Sequence, residues 1–77
     1  MKHLENAYNE ANTQFHQYGV CSVFQLESLI EELESSVPSN VFVKAARNEL
    51  DSFGALSGTR TTQLLEIAES IVTRYKK

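Results

Sequence analysis

Seventy-seven residues, with seven Lys/Arg against ten Asp/Glu, make a small and mildly acidic chain of net charge −3. That length holds one core, and a chain of this size buries only about 60–65% of the surface its unfolded form exposes. An acidic balance gives no electrostatic reason to bind a polyanion, so nucleic acid is not an expected partner.

A single cysteine, Cys21, rules out an intrachain disulfide, and no cluster of ligands offers a metal site. Stability must then come from efficient helix packing, from association, or from both. The opening "MKHLENAYNE" has no apolar core of a secretory signal. No apolar run approaches the 18 or so residues that a single membrane-spanning helix needs. The expected address is the cytoplasm by default, with a peripheral-membrane or periplasmic place requiring leaderless release or an unusual export route.

Four main helices are predicted, over about 3–18, 22–36, 40–53 and 59–76, in one domain covering 1–77. In the first, Leu4, Ala7, Tyr8, Ala11, Phe15 and Tyr18 fall within an arc of about 100°. Tyr8, Phe15 and Tyr18 are therefore expected in the core. Gly19 follows where a helix can end left-handed at low steric cost, and His16 sits in the last turn.

The second helix is opened by "SVFQ", in which Ser22 and Gln25 fit a capping box, with Cys21 and Leu26 placed as a hydrophobic staple. Leu26, Leu29, Ile30 and Leu33 form its stripe, and Pro38 forces its end. Glu31, Glu32 and Glu34 crowd the C-terminal half, where the helix dipole disfavours anions. A basic neighbour is the expected compensation. Phe24 lies about 160° around the helix from Leu26. The first expectation is that it packs on the preceding turn near Tyr18 or Val20. The second is an exposed anchor, with Val23 and Val43 extending the patch.

Ser39 or Asn40 caps the third helix, whose apolar members are read as Phe42, Ala45, Ala46, Leu50 and Phe53, with Gly54 ending it. Glu49 falls in the same sector as Phe42 and Ala45. It is expected to reach solvent at the rim, or to pair with Arg47, Lys44 or the C-terminal cations. "GALSG", 54–58, is a connector with room for a short fifth turn. Thr59 or Thr61 then caps the last helix, with Leu64, Leu65, Ile67, Ala68, Ile71, Val72 and Tyr75 on its broad apolar face. Arg74, Lys76 and Lys77 close it. That face either completes the core or forms a homodimer interface. The predicted core is Tyr8, Phe15, Leu26, Leu29, Ile30, Leu33, Leu64, Ala68 and Ile71.

No constellation points to catalysis. Cys21 and His16 flank Gly19 and are the one conceivable nucleophile–base pair, but no orienting group or oxyanion elbow accompanies them. His3 and His16 project about 140° apart and cannot share a metal. Glu31 and Glu34 read as a solvated acidic face. No enzyme activity, cofactor or metal is expected.

Two functional classes follow. One is a small protein-interaction module, a regulator, chaperone-like subunit or immunity-type binder. It would use the acidic face of Glu27, Glu31 and Glu34 with Phe24 as anchor and Glu49 as a further candidate. The other is a lipid-interacting protein whose helices part at "SSVPSN" and "GALSGT". The size, the order of helices, the short turn at "GALSG" and the absence of disulfides resemble the PAS factor family, small secretion-promoting proteins of vibrios. The resemblance implies a saposin-like, all-α bundle of four to five short amphipathic helices that interacts with membranes or with a protein of the secretion pathway. It carries over no site residue. It leads to the expectation of an accessory factor for secretion, with the interaction module as the alternative. The disulfides that usually tie saposin helices together have no counterpart here. Only "RYKK" at the end of the chain would attract anionic lipid.

Overall fold

Ser22 opens the second helix as the sequence predicts: its backbone is extended and its hydroxyl oxygen accepts the Gln25 N–H at 3.2 Å. The computed structural model describes residues 2–75, with side chains described for 3–74. Its four helices are α1 (Lys2–Tyr18), α2 (Val23–Ser36), α3 (Val41–Phe53) and α4 (Gly58–Tyr75), and no strand occurs among the described residues. The connections 19–22, 37–40 and 54–57 are so short that successive helices double back on one another. Each helix packs on the next, α1 closes on α4, and α2 also touches α4.

The termini of these helices explain why the connectors hold their course. Gly19 and Gly54 adopt positive φ, 77° and 72°, and each donates its N–H back to the helix it ends. Asn40 caps α3, its Oδ1 accepting from the N–H groups of Phe42 and Val43. The cap of α4 is Ser57, not Thr59 or Thr61. Its hydroxyl oxygen accepts the Arg60 N–H at 3.1 Å, while the buried Thr61 hydroxyl donates to the Ser57 carbonyl. Only half of the predicted capping box forms. Gln25 turns away from Ser22 to donate to Glu10 on α1, and the Ser22 N–H donates instead to Gln14. These exchanges tie α2 to α1 across the turn. No fifth helix forms between Phe53 and Gly58.

The core takes Leu4, Ala7 and Ala11 from α1 and Leu26, Leu29, Ile30 and Leu33 from α2. It adds Val43, Ala46 and Leu50 from α3 and Leu64, Leu65, Ala68 and Val72 from α4. Tyr8, Phe15 and Ile71, predicted within it, pack on its margin half-buried. The broad face of α4 completes this core. Its last predicted member, the Tyr75 side chain, lies outside the described side chains, and Lys76 and Lys77 lie outside the described residues.

Three expectations are corrected by this packing. Val43 is a core residue, 1% exposed, and belongs to no surface patch. Ala46 and Leu50 are buried as expected, but α3 is rotated so that Val43 joins them inward, which leaves Phe42 and Phe53 exposed on the flank. Tyr18 is 69% exposed: it continues the inner stripe of α1 but stands in the last turn, past the reach of its neighbours.

Candidate functional site

One end of the bundle is formed by the α1–α2 and α3–α4 connections together. Both contribute to a shallow hollow of about 110 Å³ lined by Phe15, Val20, Cys21, Val23, Leu26 and Leu56, among others. Tyr18, Phe24 and Phe53 stand at this end too, as the last residue of α1, the second of α2 and the last of α3. Phe24 is 84% exposed and Phe53 81%. Local packing of Phe24 against Tyr18 or Val20 is thereby excluded, since all three side chains stand mostly in solvent. The ring is there because Ser22 must cap α2, and the stripe that caps the core then leaves position 24 facing outward.

This end is also uncharged. From Gln17 to Leu26, and again from Ser52 to Thr59, there is no charged residue. On a protein of net charge −3, the most exposed aromatic rings coincide with absent charge here; the α2–α3 connection, uncharged from Ser35 to Val43, also exposes Val41 and, in part, Phe42.

The remaining candidates do not gather there. Glu34 is half-buried and held by Arg47 through two bonds, at 2.9 and 3.1 Å, with Asp51 at 3.9 Å on the other side of the guanidinium. The Arg47 hydrogen bond holds the Glu34 carboxyl below its ordinary range and raises Arg47 in turn. Arg47 is the basic neighbour that the acidic end of α2 called for. The expected acidic face is accordingly reduced: Glu27 and Glu31 stay exposed, and Glu34 is engaged. Glu49 does not reach out alone at the rim, and among the described residues it pairs with neither Arg47, Lys44 nor Arg74; Lys76 and Lys77 lie outside them. It accepts from Arg60 Nε at 2.7 Å, and Arg60 also donates to Gln63. Glu34–Arg47 fastens α2 to α3, and Glu49–Arg60 fastens α3 to α4.

Cys21 and His16 are each occupied separately. The thiol donates to the Ala11 carbonyl at 3.1 Å, and burial pushes its pKa up, which disfavours the nucleophilic thiolate. Nδ1 of His16 lies 2.8 Å from the Asn12 carbonyl oxygen within the same helix. Among the described residues, no three His, Cys, Asp or Glu side chains come together as metal ligands. No helix among them is long and apolar enough to cross a membrane.

Of the sequence-derived candidates, Phe24 and Val23 stand at the apolar end, whereas Val43, Glu34 and Glu49 serve the fold. Tyr18, Val20 and Phe53 belong to the same end but were not singled out. Charge-free segments flank Gly19 and Gly54, but a third spans 35–43, so the sequence signal points to these residues only once the two connections are known to meet. No protein-family model, curated protein or solved structure matches this chain.

Proposed function

We propose that this chain is a non-catalytic protein-docking module that binds its partner through the uncharged end bearing Tyr18, Val20, Val23, Phe24 and Phe53. The observation that carries the reading is the solvent exposure of large apolar side chains where charge is absent. Cores of protein interfaces are depleted of charge and enriched in aromatic residues, and a few such rings supply most of the affinity. The bundle supports this use by rigidity. Its connectors are capped, and two inter-helix ion pairs brace α3 on both sides.

A second reading, an accessory factor for secretion that acts at a membrane, draws on the resemblance to PAS factors and on the same aromatic end. Tyr and Phe at a charge-free tip also suit the bilayer interface. The electrostatics favour the protein partner. Anionic lipid rewards cations near the surface it meets, and the segments 17–26 and 52–59 that form this end carry none.

The test is photocrosslinking in the source cells from a benzoylphenylalanine placed at position 24, with the same group at Thr62 as a control. A discrete protein adduct specific to position 24, whose purified partner binds wild type and not Phe24→Ser/Phe53→Ser, is expected. Adducts with lipid alone would transfer the site to the membrane reading.

A further inference from the structure

Beside the apolar end, α1 and α4 leave a groove of about 360 Å³, lined by Tyr8 and Phe15 on one side and Leu65, Glu66 and Glu69 on the other, with His16 at its rim. Tyr8 and Phe15 are seven residues apart on α1, so the lining extends about 10 Å along the helix. One extended basic side chain fits within that length. Its two walls differ in kind: aromatic rings come from α1, and two carboxylates one turn apart come from α4. Among the described residues, no cation forms an ion pair with Glu66 or Glu69. Arg74 lines the adjoining hollow with Glu69 without pairing to it. Burial, and then the Glu69 carboxylate, push the Tyr8 phenol up, as expected where the two side chains share the groove. Phe15 lines both this groove and the hollow at the apolar end, so the two surfaces adjoin.

We propose that the α1–α4 groove receives an arginine side chain of the protein docked on the apolar end, its guanidinium at Glu66 and Glu69 and its stem along Phe15 and Leu65. The occupant rests on the protein-docking reading; the groove's chemistry is testable apart from it. Arginine fits better than lysine because a planar guanidinium both meets carboxylates through several donors and stacks on aromatic rings. The partner is thereby specified as a segment that is apolar at its centre and carries an arginine at its edge. The arginine would fix its orientation and speed its approach.

The experiment is an amide-shift titration of the full chain with N-acetyl-arginine-N-methylamide, against the neutral citrulline analogue. Shifts at Tyr8, Phe15, Glu66 and Glu69 are expected, with half-saturation at about tenfold lower concentration for the arginine probe. Glu66→Gln/Glu69→Gln should remove that advantage, and Glu27→Gln/Glu31→Gln should leave it intact. All four positions are exposed, so these variants keep the fold. Equal half-saturation for both probes, or shifts concentrated at Glu27 and Glu31, would overturn the proposal. A failure here leaves a position-24 protein adduct standing. Lipid-only adducts alongside a positive titration would remove the docking reading and keep the groove's selectivity.

Discussion

Leu33 has no exposed surface and sits where α2 meets its neighbours, so its truncation has no relief at hand. Leu33→Ala is expected to cost about 2–5 kcal/mol through lost transfer energy and the cavity left behind. In a domain of this size, that approaches the whole stability, and urea unfolding followed by circular dichroism will read it. The Glu34–Arg47 pair predicts a pH dependence instead. Glu34 has a folded-state pKa below its unfolded one, so its contribution is fully present above about pH 4.3 and is lost as pH falls through the folded value. Glu34→Gln should flatten that acid limb while lowering neutral stability by no more than about 1 kcal/mol, because the pair is partly exposed. Unfolding midpoints of the two proteins between pH 3 and 7 check this. Arg47 was foreseeable as a need, since the glutamates at the end of α2 called for a cation. The partner of Glu49 was not, because Arg60 reaches it only after the chain turns at Gly54.

At the scale of elements, the helices were legible from spacing and punctuation, and α2 was legible to its individual core residues. The orientation of α3 was not. "VFV" at 41–43 presents three consecutive apolar residues, and two stripes satisfy helical periodicity from there. One runs through Phe42, Ala45, Ala46, Leu50 and Phe53; the other, through Val43, Ala46 and Leu50, is the one that packs. Glu49 was the clue, since it falls in the first stripe and only on the flank of the second. The connectors give a prediction of their own. Gly54 holds φ of 72° with open space where a Cβ would go, so Gly54→Ala meets backbone strain without a clash. A loss of about 1 kcal/mol is expected. Asn40→Ala should cost a similar amount by orphaning the Phe42 and Val43 N–H groups. Thermal melts of both variants, with helicity unchanged before the transition, test whether caps rather than loop contacts hold these turns.

The whole molecule is a braced, acidic body with an uncharged end that carries the most exposed rings among the described residues. An all-α bundle followed from the sequence; the gathering of Tyr18, Phe24 and Phe53 at one end did not. It needs the knowledge that two connectors far apart in the chain meet. If the end serves a protein partner, vesicles of mixed zwitterionic and anionic lipid should retain their dye when the folded chain is added, at pH 7.5 and at pH 5 alike. Leakage that Phe24→Ser abolishes would instead support action at a membrane. The central claim is that these rings are surplus to the fold and kept for contact outside it. Urea unfolding of Phe24→Ser/Phe53→Ser against wild type tests that most directly. The account predicts stability within about 0.5 kcal/mol of wild type, as for surface positions generally. A loss of about 2 kcal/mol or more would show that the rings hold the bundle together, and would contradict a docking role for this end.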